Sequence, residues 1–167
     1  MSRIVKLSTY INEDRIVVDT ERFLKKETVI KQLLDLLCSE EEVYQNREEI
    51  YKEIIVRECE KSTGMGKGVS IPHGRCANLK NIYVALAKIT GGVEWEALDG
   101  QTVQCVFLVI GPQRFKVEEY LNILAQISKL VSRQDTREKF FGANSVTEIA
   151  EIIRDLKGRE KHDTNLV

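Results

Sequence analysis

Val103-Gln104-Cys105-Val106-Phe107-Leu108-Val109-Ile110 is apolar at nearly every position, so it lacks the in-out alternation of a half-buried strand. A run this short, opened after Asp99-Gly100 and closed by Pro112, reads as a strand buried on both faces. Such a strand needs cover above and below. The chain before it supplies another strand, 82–89, whose return is made through a turn over 95–100.

Further out the period changes from strand to helix. A short strand at 15–18 precedes a helix over 26–39, in which Val29, Ile30, Leu33, Leu34 and Leu37 form one apolar face. A second helix is expected over 47–60, with Asn46 and Glu49 as its start signal and Ile50, Ile54, Ile55 and Cys59 on its inner face. Beyond Pro112, Val117, Leu121, Leu124, Ala125, Ile127, Ser128 and Val131 keep helical spacing, and a short helix follows near 136–141. Ser145-Val146-Thr147-Glu148 is a capping box opening a last helix that buries Ile149, Ile152, Ile153 and Leu156. The order β-α-α-(loop)-β-β-α-α, with room for a short strand at 69–71, is that of an α/β protein: a mixed β-sheet flanked by helices on both faces. One domain is expected over 1–157 and a polar, flexible tail over 158–167. In such folds chemistry sits on loops at strand ends.

Composition narrows the function. A formal charge of -1 over 167 residues makes no broad field of one sign, which argues against nucleic-acid or membrane-surface binding. The longest apolar run, Cys105 to Ile110, falls far short of the roughly 20 residues that span a bilayer. Met1-Ser2-Arg3-Ile4-Val5-Lys6-Leu7 breaks every apolar stretch with charge and does not read as a signal peptide, so a cytoplasmic location is expected. Cys38, Cys59, Cys76 and Cys105 lack the spacing of a zinc site and read as mostly buried free thiols.

Between helix 47–60 and strand 82–89 lies Ser62-Thr63-Gly64-Met65-Gly66-Lys67-Gly68-Val69-Ser70-Ile71-Pro72-His73-Gly74. Its glycines are expected to exclude both helix and strand. It is no P-loop, because Gly68 stands where Gly66-Lys67 would need Ser or Thr next. It is no dinucleotide fingerprint either: Val69 stands where the last glycine belongs, and the segment follows a helix rather than a strand. His73 is held between Pro72, which fixes the backbone, and Gly74, which permits an unusual dihedral. An imidazole so placed suits a nucleophile for phosphorus, and by spacing alone it suits a structural histidine equally. His162 lies beside Asp163 in the polar tail and reads as solvated. Arg57, near the end of its helix, can receive phosphate oxygens in a forked hydrogen bond, or can simply be an exposed helix-end cation. The Ser62 and Thr63 hydroxyls and the Gly64 and Gly66 amides can bind remaining phosphate oxygens.

Arg57-Glu58-x-x-x-Ser62-Thr63-Gly64-Met65-Gly66-x-Gly68-Val69-Ser70-Ile71-Pro72-His73-Gly74 resembles the signature of enzyme IIA domains of the fructose/mannitol class in the bacterial phosphoenolpyruvate-dependent phosphotransferase system. It is similar also to their stand-alone relative, the nitrogen-regulatory enzyme IIA. Trp95-Glu96-x-x-Asp99-Gly100-x-x-Val103, Tyr120-Leu121-x-x-Leu124-Ala125 and Ala143-x-Ser145-x-x-Glu148-Ile149 extend the resemblance over most of the chain. The resemblance implies that His73 accepts a phosphoryl group from HPr or its nitrogen-branch counterpart, with Arg57 beside it. It implies a mixed sheet flanked by helices, no metal and no organic cofactor. It implies a phosphotransferase component rather than a free-standing catalyst, with enzyme IIB or regulatory target proteins as further partners. Because 167 residues leave no space for a fused IIB or IIC segment, a stand-alone regulatory component is expected. A sugar-uptake enzyme IIA, or a binding protein that no longer takes phosphate, are the alternatives. The chain departs from the family at Tyr120, where relatives usually carry a second histidine. A neutral hydroxyl bond is about half as strong as one from a charged imidazole, so slower phosphorylation or a less stable phospho-form is expected.

Overall fold

The computed structural model describes residues 6–19 and 25–163, with the backbone alone from residue 157 onward. The His162 side chain, residues 1–5 and the end of the expected tail lie outside that description.

Six strands form one mixed sheet: β1 (Ile16–Asp19), β2 (Gly64–Gly66), β3 (Val69–Ser70), β4 (His73–Cys76), β5 (Tyr83–Val93) and β6 (Val103–Pro112). The helices are α1 (Leu7–Tyr10), α2 (Lys26–Leu37), α3 (Glu41–Gln45), α4 (Arg47–Glu60), α5 (Val117–Ser132), α6 (Gln134–Gly142) and α7 (Val146–Asp163). The path across the sheet is β1-β5-β6-β3-β2, with β4 pairing β6 as well. β6 therefore sits at the centre, antiparallel to β5 on one side and parallel to β3 and then β4 on the other.

The burial of β6 follows from its sequence, since every residue from Cys105 to Pro112 is buried. Successive side chains point to opposite faces. Cys105, Phe107 and Val109 join Ile123, Ile127, Phe140, Ile149 and Ile153 of α5, α6 and α7. Val106, Leu108 and Ile110 join Leu33, Leu34, Ile50 and Ile54 of α2 and α4. Phe107 and Phe140 meet edge to face, with ring centroids 5.9 Å apart. Helices thus cover both faces, as the unbroken apolar run requires.

Several local expectations are corrected. The glycine segment does form strands: β2 and β3 pair as a tight antiparallel hairpin. Gly66, Lys67 and Gly68 reverse the chain at φ of 86°, 57° and 81°, and the Asp99 carboxylate accepts a 2.7 Å bond from the Lys67 amide. Glycine supplies the positive φ of the turn, which is compatible with strands of two or three residues on either side. β4, unforeseen in the sequence, has no apolar alternation to announce it; its inward residues are Gly74 and Cys76, its outward ones His73 and Arg75. Asn46 precedes α4, but its side-chain amide donates to the Glu42 carbonyl (2.8 Å) and does not cap the helix. Cys59 is exposed, not on the inner face. On α5 the buried stripe is Tyr120, Ile123, Ile127 and Val131, while Leu121 is 54% exposed. The last helix begins as read, with the Glu148 amide donating to Ser145 Oγ (3.1 Å), and its carboxylate accepting from the Asn144 amide (2.9 Å). Its backbone stays helical to Asp163, past Gly158 where the tail was expected to start.

Candidate functional site

β4 approaches α4 more closely than a side chain would permit. A Cβ on Gly74 would stand 3.0 Å from Ile54 Cγ1 and 3.2 Å from the Ile54 amide nitrogen. Gly74 does not have a positive φ, so its role is this close approach and not an unusual dihedral. The approach sets the last turn of α4, with Arg57, beside the start of β4, with His73.

His73 is half-buried, and its Nδ1 lies 2.8 Å from the Ile71 carbonyl oxygen. A carbonyl only accepts, so Nδ1 carries the proton and Nε2 keeps its lone pair. Burial pushes the imidazole pKa below its usual 6.5; the Ile71 bond opposes this, the Arg57 charge adds to it, and Glu58 opposes it. The ring is therefore neutral at neutral pH.

An open cleft of about 570 Å³ is lined by His73 and Arg75 of β4, Arg57 of α4, Gln113, and Tyr120 and Leu121 of α5, among others. Among the described residues Arg57 donates one bond, to the Lys61 carbonyl (2.8 Å). Arg75 donates through Nε to the Pro112 carbonyl (3.2 Å) and through Nη2 to the Gln113 carbonyl. Its guanidinium lies 5.6 Å from the centroid of the Tyr120 ring, a cation–π contact. Tyr120 is 3% exposed, and its buried hydroxyl has no hydrogen-bond partner among the described residues. Burial raises its pKa well above the usual range, against the pull of Arg75 and then Arg57.

Gly111 makes room for that ring, since a Cβ there would stand 2.9 Å from Tyr120 Cδ2 and 3.2 Å from Ile82 Cγ1. Gly111→Ala is expected to push Tyr120 toward the cleft and to cost about 1–3 kcal/mol by overpacking. Denaturant unfolding checks this; an unchanged midpoint would show that the ring has slack.

The sequence reading brought seven residues to the site, and the structure divides them. His73, Arg57 and Tyr120 share the cleft. Ser62, Thr63, Gly64 and Gly66 do not line it, and polar groups of the first three are engaged elsewhere. Ser62 Oγ donates to the Trp95 carbonyl (2.8 Å) and accepts from the Gly64 amide (3.1 Å). The Thr63 amide and hydroxyl both donate to buried Glu58, at 3.1 and 2.5 Å, and Trp95 Nε1 donates to Thr63 Oγ1 (3.3 Å). A Cβ on Gly64 would collide with Ala97 at 2.8 Å, and Gly66 lies against Asp99. These residues build the hairpin behind the site. Arg75 was missed; two residues beyond His73, it shares that residue's face only because the segment is a strand. Among the described residues, no group of His, Cys, Asp and Glu converges to hold a metal ion. No helix among them is long and apolar enough to cross a membrane.

A mixed-sheet sandwich that holds a neutral imidazole in an arginine-lined cleft is a protein equipped to receive an anionic group at one nitrogen. Comparison with known proteins agrees with that chemistry. Residues 9–156 match the family described as phosphoenolpyruvate-dependent sugar phosphotransferase system, EIIA 2, and the chain belongs to that family. It is 31% identical over 89% of its length to the fructose-specific EIIABC component of Bacillus subtilis, of which it spans only 23%. It is 27% identical to the nitrogen regulatory protein of Pseudomonas aeruginosa, over 92% of this chain and 98% of that one. Its fold matches the crystal structure of the nitrogen regulatory protein IIA-Ntr from Neisseria meningitidis with a TM-score of 0.79 and 28% identity, covering 88% of this chain and 98% of that one.

Proposed function

We propose that this protein is a cytoplasmic histidine phosphocarrier that accepts a phosphoryl group on Nε2 of His73 from an HPr-type donor and serves a regulatory branch of the phosphotransferase system. The observation that carries this is the bond from His73 Nδ1 to the Ile71 carbonyl, which leaves the Nε2 lone pair free beside an arginine-lined cleft. In the transfer, that lone pair forms a new P–N bond while the bond from phosphorus to the donor's leaving nitrogen breaks and its electron pair departs with the donor. The proton stays on Nδ1, donated to the Ile71 carbonyl, and that bond stabilises the positive charge the ring acquires. Arg57 neutralises charge on the phosphoryl oxygens. Ser62, Thr63, Gly64 and Gly66 have no part in this, since they hold the hairpin.

The regulatory branch is supported by the Pseudomonas and Neisseria proteins, both matched over 98% of their own lengths. The 31% identity to a fructose-specific component favours a second reading, a sugar-uptake enzyme IIA that passes the group to an enzyme IIB. Incubation with phosphoenolpyruvate, enzyme I and an HPr-type carrier, followed by intact-mass measurement, tests the proposal. A gain of one phosphoryl group supports it, and no gain overturns it in favour of a pure binding protein. Onward transfer to a IIB cysteine selects the sugar-uptake reading.

The neutral ring also sets a pH dependence. With a folded-state pKa depressed below 6.5, His73 stays unprotonated when the pH first falls below 6.5. The unfolded chain takes up that proton first, so the His73 contribution to stability is full above 6.5. It is lost as pH falls from 6.5 through the folded pKa. An NMR titration of the His73 ring is expected to give a midpoint below 6.5; one at or above 6.5 would contradict the burial argument.

A further inference from the structure

Charge at the cleft comes from an unexpected place. Arg75 pairs with Gly111 of β6 in register, and its side chain leaves β4 on the same side as His73. The Pro112 and Gln113 carbonyls hold Nε and Nη2, and the guanidinium rests near the Tyr120 ring. A guanidinium anchored through two nitrogens has lost its rotamer freedom before any ligand arrives. Its third nitrogen, Nη1, has no acceptor among the described residues. The guanidinium lies 5.6 Å from the centroid of the Tyr120 ring, whose hydroxyl is buried and has no partner among the described residues, in a residue 3% exposed that lines the same cleft. A buried phenol without a partner is costly, and such a group in a native structure calls for a ligand or another explanation.

We infer that Arg75 and the Tyr120 hydroxyl bind the oxygens of a phosphoryl group on His73, with Arg75 as the fixed cation and Arg57, half-buried and bonded among the described residues only to the Lys61 carbonyl, as the mobile one. This rests on the reading of His73 as phosphoryl acceptor. It alters what Tyr120 means: the chain lacks a second histidine there, but the charge that residue would bring is supplied by Arg75, and the phenol adds one neutral hydrogen bond. Arg75 makes and breaks no covalent bond. It lowers the free energy of the phosphorylated form, so its effect falls on the transfer equilibrium.

The test equilibrates the protein with a phosphorylated HPr-type donor and reads the phosphorylated fraction by intact mass. Arg75→Gln is expected to lower the transfer equilibrium constant about tenfold, the loss of one charge-assisted hydrogen-bond pair. Arg75→Lys keeps the charge without the fork and is expected to fall between the two. Tyr120→Phe is expected to lower the constant about threefold without lowering the melting temperature of the unphosphorylated protein. A merely structural Arg75 would move the melting temperature and leave the equilibrium constant alone. A folded Arg75→Gln variant with the wild-type constant overturns the inference. So does loss of fold in both Arg75 variants, which would make the residue a strut. Wild-type protein that takes no phosphoryl group overturns the His73 reading itself, a distinguishable result.

Discussion

His73→Ala is expected to take up no phosphoryl group from an HPr-type donor while keeping its fold. The substitution removes the nucleophilic nitrogen, and the one other histidine in the chain is His162, far along the last helix. Its structural cost is small because the ring is half-buried and makes a single hydrogen bond among the described residues, to Ile71. About 1 kcal/mol of stability is expected to go with that bond. Intact mass reads the chemistry and thermal unfolding reads the fold. Together they separate loss of the acceptor from loss of the protein. A phosphorylated His73→Ala variant would place the acceptor elsewhere and remove the basis of the proposed function.

Glu58→Ala is expected to destabilise the protein by about 3 kcal/mol. Glu58 is 5% exposed, and its two oxygens receive the amide and the hydroxyl of Thr63, with Lys26 Nζ at 3.8 Å. Alanine would leave two buried donors unmatched and take from Lys26 one of its two carboxylates, the other being Glu96 at 3.9 Å. Glu58→Gln is expected to cost less, since its carbonyl can accept from the Thr63 amide while its amide donates to the Thr63 hydroxyl, which turns to accept. The network ties the last turn of α4 to the β2–β3 hairpin, so phosphorylation is expected to slow as well, through displacement of Arg57. Denaturant unfolding of both variants checks the order. Equal losses for Ala and Gln would show that charge, not the pattern of hydrogen bonds, holds this junction.

The architecture was legible because its signals are local. The apolar run through Cys105 to Ile110 demanded cover on both faces, and the apolar stripe of α2 emerged buried at Val29, Ile30, Leu33, Leu34 and Leu37. On α5, Ile127 and Val131 emerged buried as read, but Tyr120 and Ile123 fill the first turns in place of Val117 and Leu121, because Tyr120 looks amphipathic in sequence while Val117 and Leu121 look apolar. In the fold Tyr120 packs on Gly111, and Leu121 opens onto the cleft. β4 escaped notice because His-Gly-Arg-Cys has neither apolar period nor β-branched residues; it is a strand because β6 offers it a parallel partner.

What the sequence determined by itself is the central strand, the helices that cover it, and the backbone restriction that Pro72 places just before His73, all set by side-chain period and covalent geometry within a few residues. The company His73 keeps was decided by tertiary structure. Arg75 bonds carbonyls 37 and 38 residues away, Ser62 and Thr63 are drawn off to Trp95 and Glu58, and Gly74 is a spacer for Ile54 rather than a hinge. Such partners depend on which surfaces meet, and hydrogen bonds between distant residues leave no period along the chain.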